Sequence, residues 1–287
     1  MRLLLTGASG FFGGRFAPLA ARRYELYSAY YSHPEKITAG RPLALDLKDA
    51  SALRRTLDDL RPQIVVHAAA SNRDEQNQQA ILPGARALAE HTRATGARLI
   101  HFSSDLVFGG GAAPYGDASP PDPVMPYGRR KAEAEAIVAE LDPRALIVRP
   151  SLIYGFDPID AQTAWLVAAL ERGETVRLFT DEIRCPLWVH DLCDVVLELL
   201  SEDKAGITAC MNLGGPQPLN RWEFGLKMLK AVGVSPGRNV IPSTTAESGM
   251  LRPRDLTLLS ERAAQLLAAR LRPVDEAVRL HHAALTT

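Results

Sequence analysis

A glycine-rich turn near the start of the chain constrains the fold more than any other feature. The apolar run 2–6 predicts a buried strand, and a helical pattern follows it at once. Glycines spaced as G-x-x-G-x-x-G let the backbone turn tightly and approach a pyrophosphate, which the amides and dipole of the helix start can bind. The position directly after the first strand favours a dinucleotide site over a plain strand-to-helix turn. The residues predicted to contact the dinucleotide here are Gly7, Ser9, Gly10, Phe11, Phe12 and Gly13.

Short apolar runs alternate with helical patterns through the first half of the chain. The predicted strands are 2–6, 25–31, 42–45, 64–68, 98–103 and 145–149. The predicted helices are 11–23, 50–60, 80–95 and 126–141. Strands that alternate with helices form right-handed crossovers and a parallel sheet covered on both faces. The sequence therefore predicts an α/β fold with a Rossmann-type doubly wound parallel sheet.

The pattern changes after residue 150. Helices are predicted at 161–172, 189–200, 221–232, 260–271 and 273–284, separated by Pro- and Gly-rich turns. We expect an NAD(P)-binding Rossmann domain at 1–150 and a smaller mixed α/β C-terminal domain, 151–287, that binds substrate. Residues 189–213, including the strand-like run 209–213, are predicted as a segment that can return to the first domain.

Composition excludes several classes of protein. The 33 Lys and Arg residues balance 33 Asp and Glu residues, so there is no general basic field for nucleic acid. No apolar stretch reaches the roughly 18 residues that span a membrane. The three cysteines show no CxxC spacing, so neither a disulfide framework nor a metal site is expected. Together with an N-terminus unlike a signal peptide, this favours a cytoplasmic protein; monomer and homodimer both stay open.

The end of the second predicted strand bears on the choice of cofactor. An acidic side chain at this tip would accept hydrogen bonds from the ribose of NAD, and none stands at the expected place. Ser32, His33 and Lys36, with Arg15 as a further candidate, would tolerate the 2′-phosphate of NADP better. The sequence favours NADP over NAD, although these residues also suit a solvated loop.

Tyr127 and Lys131 form a Y-x-x-x-K pair at the start of a predicted helix. Residues four apart share a helix face, so a phenol and an ammonium can reach one site. A nearby Lys lowers the pKa of tyrosine, which is ~10 when unperturbed, toward the working pH. The pair also suits an ordinary helix surface. Ser103 and Ser104 end the predicted strand 98–103, where a hydroxyl can bind a carbonyl or cap a turn.

These motifs together resemble the extended short-chain dehydrogenase/reductases, and among them the dTDP-4-dehydrorhamnose reductase branch. Residues 103–108 (SSDLVF) resemble its S-[ST]-D-x-V-F run, and residues 126–131 (PYGRRK) resemble x-Y-G-x-x-K. Residues 148–155 (VRPSLIYG) and the late Arg252-Pro253 pair resemble further segments of that branch. Two positions depart from the pattern, since Ser104 replaces the usual Thr and Ile81 stands where related enzymes often carry Asn.

The resemblance implies a reversible hydride transfer between NADP, or NAD, and a 4-keto sugar nucleotide or similar carbonyl. Tyr127 would exchange the proton, Lys131 would assist it and hold the nicotinamide ribose, and Ser104 would orient the carbonyl. Further residues that the resemblance places at the cofactor are Asp46, Leu47, Ala68, Ala69 and Ala70. The residues that it places at the substrate are Ser104, Asp105, Arg184 and Arg252, the two arginines for the diphosphate.

Several of these residues also suit purely structural roles. Asp46 suits a cap of helix 50–60 equally well, the alanines suit simple packing, and each arginine suits a solvated surface. Two other functions also stay open. One is an NAD-dependent sugar-nucleotide epimerase or dehydratase, and the other is a non-catalytic, NADP-binding regulatory subunit.

Overall fold

A computed structural model describes residues 1–69 and 75–285 of the chain. Its strands are β1 (Arg2–Thr6), β2 (Glu25–Tyr30), β3 (Arg41–Ala44), β4 (Ile64–His67), β5 (Arg98–Phe102), β6 (Leu146–Pro150), β7 (Ile153–Tyr154), β8 (Val176–Phe179), β9 (Ile183–Arg184), β10 (Leu187–Trp188), β11 (Ala209–Leu213), β12 (Leu219–Asn220) and β13 (Val240–Ser243). Its helices are α1 (Phe11–Ala20), α2 (Ala50–Leu60), α3 (Glu75–Gln78), α4 (Ile81–Thr95), α5 (Pro126–Leu141), α6 (Ala161–Glu171), α7 (Val189–Leu199), α8 (Arg221–Ala231), α9 (Thr245–Ser248), α10 (Glu261–Leu266) and α11 (Val274–Leu285).

The central sheet is parallel and has the strand order β11-β6-β5-β4-β1-β2-β3. The order reverses at β1, which lies between β2 and β4. Crossovers on the two sides of such a point leave in opposite directions and open a crevice at the carboxyl ends of the strands. The crevice lies where Gly7 follows β1 and Ala68 follows β4. This architecture confirms the predicted α/β class.

Both faces of the sheet are apolar, which is why helices cover both. On one face Leu3 and Leu5 pack with residues of α1 and α7. On the other face Leu4 packs with α2, α4 and α5. None of the helices in the described part of the chain is long and apolar enough to cross a membrane.

The C-terminal half supplies short strand pairs beside the sheet. Strands β7 and β10 pair in parallel, as do β8 and β13, whereas β9 and β12 are antiparallel. Tyr154 and Phe224 meet edge to face at 5.4 Å in the small core that these elements share with α11. Strand β11 pairs with β6, and α7 packs on the sheet. The division into 1–150 and 151–287 stays a prediction.

Predicted and observed elements differ most where tertiary contacts decide the ends. Helices α2 and α5 have the predicted bounds, and α1 ends three residues early. The helix expected at 260–271 ends at Leu266, because the Glu198 carboxylate accepts the amides of Ala268 and Ala269 at 2.9 and 2.8 Å. The short strands β7, β8, β9, β10, β12 and β13 were not predicted.

Candidate active site

The turn after β1 folds as its glycines require. Gly7 has a positive φ of 75°, and a Cβ added to Gly13 would lie 2.2 Å from the carbonyl oxygen of Gly7. Only glycine fits there. Gly10 occupies the N-cap of α1 and has no side chain that could occupy the amides of the first turn. Those amides can therefore bind an anion.

Two cavities meet at this turn. The outer cavity, of about 250 Å³, is bounded by the ends of β1, β2, β3 and β4, and the central cleft, of about 410 Å³, lies between the turn, β5 and α5. Both are lined by Gly7, Gly10 and Ala68. A long ligand such as a dinucleotide can thus pass from one into the other.

The outer cavity gathers one group of the residues predicted at the cofactor. They are Gly7, Ser9, Gly10, Ser32, His33, Asp46, Leu47, Ala68 and Ala69. Ala70 lies outside the described residues. The central cleft gathers a second group of predicted residues, namely Phe11, Phe12, Gly13, Ser104, Asp105, Tyr127, Lys131 and Arg184.

The structure corrects two sequence interpretations beside the outer cavity. Asp46 does not cap α2, because Asp49 is the N-cap and accepts the amides of Ser51 and Ala52 at 3.1 and 2.9 Å. Arg15 does not line the outer cavity, since its guanidinium stacks 3.9 Å over the Phe11 ring and donates to Phe11 O.

The basic groups at the outer cavity also differ from expectation. Lys36 does not line it, and His33 Nδ1 pairs with Glu35 at 2.9 Å. Lys48, which sequence reasoning missed, lines the cavity, with Nζ 3.9 Å from Asp46 Oδ2 and 5.2 Å from the centre of the Tyr31 ring. Its position in the short loop between β3 and α2, at the carboxyl edge of the sheet, could have indicated that it faces the cofactor site.

Strand β5 delivers Ser104 to the central cleft. Ser104 Oγ accepts the amide of Leu106 at 3.2 Å and so caps the short 3-10 turn 105–107. Helix α5 packs against this turn, and a Cβ at Gly128 would lie 2.0 Å from the carbonyl oxygen of Leu106. The glycine after Tyr127 therefore lets the start of α5 approach the end of β5.

Tyr127 and Lys131 line the central cleft together. The pKa of Tyr127 is not lowered toward the working pH in the way that its spacing from Lys131 predicts: burial and then the charge of Asp105 raise it, so the phenol is neutral. Lys131 is 2% exposed, and its Nζ donates to Phe102 O at 2.7 Å. Burial lowers the pKa of Lys131 to about 8, against the opposing charge of Glu135. The pair can supply a proton from the phenol beside a positive charge.

Asp105 lies beneath the cleft, in contact with a residue from the C-terminal half. Arg184 donates from Nε and Nη2 to the two carboxylate oxygens at 2.8 and 2.7 Å. Ser151 Oγ donates to the same carboxylate at 2.7 Å. Both Asp105 and Arg184 are buried, at 1% and 7% exposure. The family resemblance predicts both residues at the substrate site, but the sequence does not predict their ion pair.

A further cavity, of about 500 Å³, lies beside the cleft and is called the arginine cavity. It is bounded by α6, β8 and α8 and lined by Gln162, Trp165, Glu182, Arg221 and Arg252, among others. Gln162 also lines the central cleft. Of these residues only Arg252 was predicted as a ligand. Arg221 and Glu182 stand at the start of α8 and before β9, and their proximity depends on tertiary packing that no motif signals.

Glu182 is the carboxylate around which the arginines gather. It lies 3.6 Å from Arg184 Nη1, 3.9 Å from Arg221 Nε and 3.8 Å from Arg252 Nη1. Burial lowers the pKa of Arg221 to about 10, although Glu182 opposes the shift. Because Arg184 is also paired with Asp105, the two guanidinium groups of Arg221 and Arg252 face the single negative charge of Glu182. The net positive charge would stabilise an anion in the cavity.

Known proteins match the chain over almost its whole length. The family model described as RmlD substrate binding domain matches residues 1–286. The chain belongs to this family. The dTDP-4-keto-6-deoxy-D-glucose reductase of Streptomyces niveus is 30% identical over 263 residues, which cover 88% of this chain and 86% of that protein. The predicted membership of the dTDP-4-dehydrorhamnose reductase branch is confirmed.

The chain is also similar to a protein with a different name and to solved structures. Methionine adenosyltransferase 2 subunit beta of Xenopus tropicalis is 26% identical over 262 residues, which cover 86% of this chain and 77% of that protein. The crystal structure of dTDP-4-dehydrorhamnose reductase from Bacillus anthracis in complex with NADP has a TM-score of 0.80 and 22% identity, and covers 99% of both chains. At that identity the likeness shows the fold.

Proposed function

We propose that the chain is an NADPH-dependent reductase of a 4-keto sugar nucleotide, of the dTDP-4-dehydrorhamnose reductase type. The observation that carries the proposal is the convergence of Ser104, Tyr127 and Lys131 on the central cleft. That cleft is continuous with the glycine turn. Reductase names among the relatives, such as the Streptomyces niveus enzyme, support the same reaction class.

The chain's residues fit a nicotinamide dinucleotide. The tight Gly7–Gly13 turn and the uncapped amides of α1 would hold its pyrophosphate. Ser32, His33 and Lys48 would face a 2′-phosphate in the outer cavity, which is why NADP is preferred over NAD. When bound, the reduced nicotinamide supplies a hydride to the keto carbon and is oxidised.

Tyr127 completes the reduction by giving its phenolic proton to the carbonyl oxygen, which becomes the hydroxyl of the product. The raised pKa keeps the phenol protonated, so it holds a proton to give, but it also makes the phenol a weaker acid that needs help to release that proton. Lys131 stabilises the phenolate left behind, because its ammonium is buried where water screens it little. Ser104 would orient the carbonyl by turning its Oγ proton, which points at Asp105 Oδ1 across 3.2 Å here, to the carbonyl oxygen.

The arginine cavity would take the nucleoside diphosphate of the substrate. Arg221 and Arg252 offer planar donors for its phosphates. Trp165, which is 54% exposed and lines the same cavity, offers a face on which a base can stack. The sugar would then extend past Gln162 into the central cleft, toward Tyr127.

The test is oxidation of NADPH and NADH with dTDP-4-keto-6-deoxy-L-mannose made in situ. We expect turnover, faster with NADPH. Tyr127→Phe should bind NADPH as the wild type does and lose at least about a hundredfold in kcat. Tyr27→Phe, a matched change at a tyrosine whose hydroxyl contacts Glu25 outside the cleft, should stay active. Full activity of Tyr127→Phe would refute the proposal.

The 26% identical adenosyltransferase subunit favours one second candidate, a regulatory subunit that binds NADP without turnover. Tight NADPH binding, no turnover and co-purification with another enzyme would support it. Product interconversion without net NADPH consumption would instead indicate an epimerase, which returns its hydride to the substrate.

A further inference from the structure

Both oxygens of the Asp105 carboxylate accept hydrogen bonds from this chain's own side chains. Oδ1 accepts from Arg184 Nη2 at 2.7 Å and from Ser104 Oγ at 3.2 Å. Oδ2 accepts from Arg184 Nε at 2.8 Å and from Ser151 Oγ at 2.7 Å. Each carboxylate oxygen thus has two donors, which satisfies its lone pairs.

Arg184 is equally committed. Two of its nitrogens form the fork on Asp105, and Nη1 faces Glu182 at 3.6 Å. A phosphate ligated by Arg184 would have to break a buried bidentate pair and leave the Asp105 charge unpaired. Loss of one partner of a buried ion pair is strongly unfavourable. Arg184 is therefore a poor ligand for the substrate diphosphate.

The same pair joins three segments that are far apart in sequence. Asp105 follows the end of β5, Ser151 follows β6, and Arg184 belongs to β9. Ser104 donates directly to Asp105, and the Asp105 charge acts on the phenol of Tyr127. An Asp105 without its guanidinium would no longer be held in place next to Ser104, and its unbalanced negative charge would act on Ser104 and Tyr127.

Arg221 and Arg252 are held differently. Each lies 3.8 Å or more from Glu182, beyond hydrogen-bond distance. Arg252 is 36% exposed in its side chain, and Arg221 donates to the neutral amide oxygen of Gln162. If both turn to an anion, the buried Glu182 keeps its ion pair with Arg184 at 3.6 Å, whereas freeing Arg184 would break the bidentate pair with Asp105.

We propose that Arg184 is a positioning residue, which clamps Asp105 beneath the central cleft so that Ser104 and Tyr127 keep their places, while Arg221 and Arg252 bind the diphosphate. This inference rests on the proposed function. It separates two arginines that sequence reasoning treated alike, Arg184 and Arg252.

The test compares Arg184→Gln with Arg252→Gln, the same chemical change on either side of Glu182. Binding of dTDP is measured by calorimetry, and kcat and KM by NADPH oxidation. We expect Arg184→Gln to bind dTDP within about twofold of the wild type and to lose about tenfold or more in kcat. Arg252→Gln should weaken dTDP binding about tenfold and keep kcat within about twofold.

A second pair of variants keeps the test decisive where Arg184→Gln fails to fold. Arg184→Lys keeps the charge but not the fork, and Asp105→Asn with Arg184→Gln leaves a neutral amide pair. Both should keep dTDP affinity and lose kcat. Weakened dTDP binding in these variants with unchanged kcat would overturn the inference alone. A wild-type chain that neither binds dTDP nor oxidises NADPH would overturn the proposed function and this inference with it.

Discussion

The ammonium of Lys131 donates a 2.7 Å hydrogen bond to the carbonyl oxygen of Phe102. This bond ties helix α5 to the end of strand β5, two residues before Ser104. The two parts of the candidate site, a helix face and a strand end, are therefore held together by one of the site's own side chains. Because Lys131 is buried, its charge is sensitive to pH near neutrality.

Lys131→Met should remove both the hydrogen bond to Phe102 O and the positive charge beside Tyr127. We expect kcat for ketone reduction to fall by about a hundredfold, with a smaller change in NADPH affinity. The wild-type rate should decline as pH rises through about 8, where the free enzyme's ammonium loses its proton. The groups around it are Glu135 on its own helix, and His67 and His101 on the sheet. A kcat/KM profile measures the decline, and an unchanged alkaline limb in the variant would contradict this role.

Gly13→Ala should abolish the close turn at the cofactor site. A Cβ there would lie 2.2 Å from Gly7 O, so the turn must open, and we expect NADPH affinity to fall about tenfold or more. Gly14→Ala is the matched control, because its Cβ would meet nothing closer than 3.9 Å. Calorimetric titration with NADPH distinguishes the two. Equal affinities would show that the turn does not hold the pyrophosphate.

The first half of the fold could be predicted because its signals are local. Apolar runs mark the buried strands, and the spacing of Gly7, Gly10 and Gly13 marks the turn that follows β1. Once the strands are parallel, residues that follow β1, β4 and β5 must meet at one sheet edge. This is why Ser104 could be placed near the glycine turn from the sequence.

The arginine cavity could not be predicted in the same way. Glu182 and Arg221 come together because β9 pairs with β12 immediately before α8, a pairing of two-residue strands with no periodic signal. The Arg184–Asp105 pair spans 79 residues. Such contacts depend on tertiary packing, so the sequence indicated residue types suited to a diphosphate without indicating which guanidinium is free.

Glu135→Gln should destabilise the protein, because Glu135 and Arg149 form a buried bidentate pair at 2.9 and 2.7 Å. Removing one charge of such a pair costs about 3–5 kcal/mol in the free energy of unfolding. Glu133→Gln, two residues away and exposed on the same helix, is the control and should change stability by less than about 0.5 kcal/mol. Denaturant unfolding measures both. Equal effects would mean that the pair contributes no more than a surface charge.

Lys48→Gln should reduce the preference for NADPH over NADH. Lys48 lines the outer cavity, whereas Lys36 lies outside it, so Lys36→Gln is a matched change of charge. We expect the ratio of kcat/KM values for the two coenzymes to fall about fivefold or more in Lys48→Gln and to stay constant in Lys36→Gln. A larger effect from Lys36 would place the 2′-phosphate elsewhere.

His67 and His101 should make the protein sensitive to acid. They face each other on β4 and β5 with ring centres 5.1 Å apart, both almost fully buried. Burial lowers the pKa of His67 to about 3 and that of His101 well below 6.5. Below pH 6.5 the unfolded chain therefore binds protons that the native state does not. As the pH is lowered below 6.5, the free energy of unfolding should decrease by up to about 1.4 kcal/mol per pH unit for each histidine.

His101→Phe tests this assignment. Neither ring nitrogen of His101 has a hydrogen-bond partner among the described residues, so a phenyl ring of similar shape should be tolerated at pH 7. We expect the variant to lose less stability than the wild type between pH 6.5 and 5, as measured by urea unfolding. An identical slope in His101→Phe and the wild type would show that His101 is not held neutral in the folded chain.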